Sequence, residues 1–132
     1  MINTTELVRE LIYQIRLGED SAYEFKAVTI QDRKVIKPHR DSVADELAAF
    51  ANGSGGFLVL GVNDKTREVE GIAQEQLDTV ELWLTNMADQ AIKPPLSIET
   101  RLVEIPDHQG NARPVVWVKI SKSLFVHVSP HG

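Results

Sequence analysis

The chain has 132 residues, 42% of them apolar and 25% charged, with a net charge of −5 and no cysteine. That length holds one domain with its own core and is too short for two; no apolar run spans a membrane, no signal-peptide core opens the chain, and no thiolate metal site exists. The lack of cysteine fits a reducing, cytoplasmic setting, and the acidic balance means that any nucleic-acid role must rest on a local basic patch.

Residues 3–16 read as a helix, with Val8, Leu11, Ile12 and Ile15 as its apolar stripe, Asn3 or Thr4 as cap and Gly18 as stop. Ala22 to Val28 alternates, with Tyr23, Phe25 and Ala27 on one face and Glu24 and Lys26 on a polar one, which predicts a strand. Residues 29–40 read as a long polar connection, broken by Pro38. Between Lys26 and Arg40 stand Lys26, Arg33, Lys34, Lys37 and Arg40 against Asp32 alone, while the acids gather between Glu68 and Asp89. The plain reading of such a run is a solvated loop; its local sign also suits phosphate.

A second helix follows, with Asp41 or Ser42 as cap, Asp45 or Glu46 to complete a capping box, and Val43, Leu47, Phe50 and Ala51 at helical spacing. Gly53, Gly55 and Gly56 stop it, and Phe57 to Val62, without a charge, predicts a central strand covered on both faces. A phosphate loop runs strand, glycines, helix; here the glycines follow a helix and precede a strand, and no Gly-Lys-Ser/Thr occurs. Asn63 to Thr66 reads as a turn and Arg67 to Glu70 as a short strand. Gln74 to Ile92 is the longest helix, stopped before Pro94-Pro95. Ser97–Ile105 and Val115–Ser121 form a hairpin, and Leu124 to Val128 a last short strand. The order predicts an α+β fold: a mixed, mainly antiparallel sheet with packed helices. Residues 1–132 read as one domain, an excised N-terminal part of a longer protein whose C-terminal region is missing.

Glu19 with Glu24-Phe25-Lys26, Ala49-Phe50-Ala51-Asn52 with Gly55-Gly56, Gly61-Val62-Asn63-Asp64, Val69-Glu70-Gly71, Pro94-Pro95 and the run from Val115 to Ile120 together resemble the Schlafen AlbA-like domain. The resemblance runs from about Gly18 to the end. That family is also labelled a DNA-binding or divergent AAA domain. It implies the nucleic-acid-binding part of a bacterial transcriptional regulator. Some Schlafen relatives are instead endoribonucleases that cut structured RNA with three carboxylates and a divalent metal. The matching positions here are Glu19, Glu24 and Asp64, which would hold Mg²⁺ or Mn²⁺.

Read without the family, Glu24 and Lys26 are also a plain surface pair and Asp64 a plain turn residue. Three functions follow as expectations. The first is nucleic-acid binding through phosphate contacts from Lys26, Lys34, Lys37, Arg40 and Lys65. The second is metal-dependent ribonuclease action by Glu19, Glu24 and Asp64. The third is protein interaction, with a homodimer among the partners. His39, His108, His127 and His131 lack metal-ligand spacing, no serine has a nucleophile-elbow context, and Trp83 and Trp117 read as core or interface rather than base-stacking residues.

Overall fold

The computed structural model describes residues 2–132. Helix α1 spans Thr4–Leu17, and its first turn is capped as the sequence suggests: the Asn3 side-chain oxygen accepts the Glu6 N–H at 2.9 Å. Strand β1 is Tyr23–Lys26, and the short strands Thr29–Gln31 (β2) and Lys34–Lys37 (β3) follow it. Helix α2 is Arg40–Asn52 and strand β4 is Gly56–Leu60. Strands β1 and β4 run parallel, so the chain must cross back between them, and α2 is that crossover. Helix α3 spans Leu77–Gln90, and β5 (Glu99–Pro106) and β6 (Ala112–Ile120) form a long hairpin. Strand β6 pairs antiparallel with β4, which gives a four-stranded sheet in the order β1-β4-β6-β5. The α+β fold with a mixed, mainly antiparallel sheet is thus as expected.

Alternation along the strands makes two core layers. Leu58, Leu60, Val116, Val118 and Ile120 pack under α2 and α3. Phe25, Val59, Val115 and Trp117 pack with Leu7 and Leu11 of α1 on the other face. Tyr23 and Phe25 therefore face α1, and the supposedly polar side of β1, Glu24 and Lys26, lies beneath α2.

Four local expectations change. Residues 29–40 are not an open connection: β2 and β3 pair as an antiparallel hairpin. Its two turn residues, Asp32 and Arg33, adopt left-handed conformations (φ 51° and 61°), which such turns require but which asparagine or glycine usually supplies. Ile30 and Val35 anchor the hairpin on the α2/α3 core. Helix α2 starts earlier than expected, with His39 at the cap and no side-chain cap bond, so Asp41 and Ser42 lie within its first turn. Arg67 to Glu70 contributes only a single bridge, Val62 to Val69. Leu124 to Val128 contributes only one, Val128 to Lys93, and Leu124 is 97% exposed.

The last residues are instead tied down by side chains. Asn52 exchanges two hydrogen bonds with the His127 backbone, at 2.8 and 2.9 Å. The His127 ring, buried and polar, bridges the Pro94 carbonyl and the Ser123 hydroxyl. His131 bonds to Asp45 of α2.

Candidate nucleic-acid interface

The parallel pairing of β1 and β4 sets the geometry. The Gly61 N–H donates to the Lys26 carbonyl at 2.8 Å, so the chain leaves both strands side by side. From β1 it enters the β2–β3 hairpin; from β4 it enters the turn that carries Asp64 and Lys65. Lys34 and Lys37 lie on β3 and are exposed, as are Arg33 in the hairpin turn and Lys65. Arg40, the first residue of α2, reaches Asp41 at 3.4 Å. Among the described residues, Arg33, Lys34, Lys37 and Lys65 have no carboxylate within ion-pair distance. Asn63 shapes the second turn, its side-chain oxygen accepting the N–H groups of Lys65 and Thr66 at 2.9 and 3.0 Å.

Lys26 differs. Its ammonium sits 2.8 Å from Glu46 Oε1, with side chains only 23% and 27% exposed. Burial alone would lower the Lys26 pKa, but the hydrogen bond and charge of Glu46, with Glu24 and Glu19 behind them, outweigh it and hold the pKa raised. An ammonium so engaged, among carboxylates, is a poor phosphate ligand.

Glu24 is the perturbed acid. Burial, a hydrogen bond shared with Glu19 and the charges of Glu46 and Glu19 push it up to about 7, against the pull of Lys26. Glu19 has a structural role of its own, since its Oε2 accepts the Phe25 N–H at 2.8 Å and so covers the free edge of β1. The fold therefore brings Glu19 and Glu24 together, as their spacing suggests. It adds Glu46, a residue the sequence reading assigns to a capping box. Asp64 is exposed in its turn and is not among the charges that act on Glu24.

Among the described residues, no three His, Cys, Asp or Glu side chains are grouped to hold a metal ion. The arrangement of Glu19, Glu24 and Asp64 does not fit the Mg²⁺ or Mn²⁺ that the resemblance implies, and no step is derived through such an ion.

The raised Glu24 pKa has a consequence for stability. The folded state holds this proton more tightly than the unfolded chain, whose glutamate titrates near 4.5. The contribution is complete below about pH 4.5 and is lost as pH rises through about 7. Glu24→Gln should therefore raise the melting temperature at pH 8 by about 3 °C, a value discounted for partial exposure, and leave it unchanged at pH 4.5. Thermal melts at the two pH values check this; an equal shift at both would assign the effect to packing.

The sequence matches the Schlafen, AlbA_2 family over residues 19–131, the stretch that carries both strand exits and the carboxylates. This chain belongs to the Schlafen AlbA_2 family. Its fold is similar to that of the DIP2311 protein from Corynebacterium diphtheriae, with a TM-score of 0.57 at 18% identity, over 96% of this chain and 24% of that one. The likeness concerns the fold alone, and the chain spans about a quarter of that protein's length. Membership associates this AlbA_2 domain with nucleic acid. No helix is long and apolar enough to cross a membrane.

Proposed function

We propose that this domain binds nucleic acid through its phosphates, as the nucleic-acid-binding part of a bacterial transcriptional regulator. The observation that carries the proposal is the β2–β3 hairpin. It is a two-stranded ribbon anchored by Ile30 and Val35 that holds Arg33, Lys34 and Lys37 free of carboxylate partners among the described residues. Arg40 and Lys65 extend it along the same end of the parallel pair. Contacts of this kind give affinity with little sequence reading. Lys26 is left out of the set because Glu46 holds it.

Five such contacts to duplex DNA give a log–log salt slope of about −4.5, or about a five-hundredfold loss of affinity between 50 and 200 mM salt. Lys34→Ala/Lys37→Ala/Arg40→Ala should flatten that slope by about 3. Fluorescence anisotropy with a labelled duplex and a structured RNA, each with Mn²⁺ and with EDTA, measures both. Affinity indifferent to salt would overturn the phosphate reading. Mn²⁺-dependent cleavage lost in Glu24→Gln would instead support the ribonuclease reading and require the Asp64 turn to close on Glu24. The exposed apolar strip of Leu124, Phe125, Val126 and Val128 favours a protein-interaction role. Concentration-dependent dimers with no nucleic-acid shift would move the function there.

A further inference from the structure

At the other end of α2 from the hairpin lies a cavity of about 520 Å³. Thirteen helical residues, about 20 Å, separate the two. The cavity opens where β1 and β4 begin and β6 ends. It is lined by Ser21, Ser54 and Ser121, by Lys119, which stands opposite Phe57 on the α1 side of the sheet, by Lys122, and by Phe50, which packs over Gly56 on the α2 side. We infer that this cavity binds a nucleotide unit, holding the phosphate between Lys119, Lys122 and the serines and the base against Phe50.

Three features carry the inference. First, the size suits a nucleotide rather than a bare ion. Second, the charge is available: Lys119 and Lys122 are exposed and in no ion pair among the described residues. Glu99, directly across the ladder from Lys119, is the acid nearest in register and the one that competes for it. Third, the C-terminal end of a helix normally repels an anion, and here that end is muted. The Ala49 carbonyl accepts the Gly53 N–H at 3.0 Å, the Phe50 carbonyl accepts Gly53 and Gly55 at 3.2 and 2.8 Å, and Ala51 accepts Ser123 at 2.9 Å. The Ser54 N–H has no acceptor of its own among the described residues, and Ser54 lines the same opening. This is not a phosphate loop: the cations come from the end of β6, not from a helix N-terminus.

The inference extends the nucleic-acid reading and rests on it only for the source of the phosphate, a nucleic-acid strand or a free nucleotide. The test uses adenosine monophosphate, adenosine and a labelled single-stranded RNA with the intact chain. Adenosine monophosphate should shift the amide NMR signals of Ser54, Gly55 and Lys122 saturably, and adenosine should not. Lys119→Ala/Lys122→Ala should abolish those shifts. The same variant should weaken RNA binding about tenfold and flatten its salt slope by about 1.4, or 0.7 per lysine. Both positions are exposed, so the variant should fold, and its dispersed spectrum would confirm that. Shifts with an unchanged RNA affinity would support the cavity and assign it to free nucleotides. No shifts, together with RNA binding that responds to the hairpin variant but not to the cavity variant, would overturn the cavity and leave the hairpin reading standing. Shifts with no RNA binding at all would do the reverse.

Discussion

Gly55→Ala is expected to cost about 3 kcal/mol, lowering the melting temperature by roughly 10 °C. Two penalties act together. The residue has φ +83°, a left-handed conformation that a side chain strains. A Cβ there would also stand 2.8 Å from the Ile120 carbonyl oxygen and 3.1 Å from the Lys122 nitrogen. Both neighbours are backbone: Ile120 ends β6 and pairs with Gly56, and Lys122 lies between it and Ser123, whose N–H is bonded to the Ala51 carbonyl, so neither can swing aside. Gly110 separates the two penalties. It has nearly the same φ, +84°, but nothing within 4 Å of an added Cβ. Gly110→Ala should therefore cost only about 1 kcal/mol. Urea melts of both variants, with unchanged slopes, read the difference as the steric part. Equal costs would mean that the contact with β6 does not constrain the turn.

The same turn shows what kind of information the sequence holds. Gly53 to Gly56 reads correctly as the exit from a helix into a buried strand, because a charge-free run and a break in helical spacing are local signals. The charge-free run of β4 likewise marks a central strand of the sheet, and Asn3 marks the start of α1. The β2–β3 hairpin is hidden because its turn is Asp32-Arg33, with no glycine or asparagine to mark the left-handed positions. Its pairing depends on Ile30 and Val35 finding the surface made by α2 and α3, which is tertiary. At the carboxylates, spacing joins Glu19 to Glu24 but cannot tell that α2 lies over β1. One signal is available. Glu46 falls three residues after Val43 and four before Phe50, within the apolar stripe itself, so the helix pattern already places a carboxylate on its inward face. A charge in that position needs a partner, and Lys26 is the partner on the strand beneath.

That partnership sets the second large effect. Lys26→Met should cost about 2 kcal/mol at pH 8, below the roughly 3–5 kcal/mol of a fully buried pair because both side chains keep some contact with water. Methionine keeps much of the apolar stem, so the loss is mainly one of charge. Glu46 would then keep two oxygens without a cation, and its Oε2 already lacks any hydrogen-bond partner. Glu24 would lose the charge of Lys26, which favours its ionised form. The cost therefore depends on pH. At pH 8, above the folded Glu24 pKa of about 7, the removed lysine leaves Glu24 and Glu46 both negative and close enough to repel. At pH 5 Glu24 is protonated, one of the two repelling charges is gone, and the cost should fall to about half. Adding Glu46→Gln to Lys26→Met should restore most of the loss at pH 8, since it removes the charge that the lysine neutralised. Denaturant melts of the wild type, both single variants and the double variant complete the cycle. A cost that is the same at pH 5 and pH 8, and that Glu46→Gln does not relieve, would mean that Lys26 acts by packing its stem under α2. In that case its ammonium would be open to phosphate after all, and the interface would extend from the hairpin onto β1.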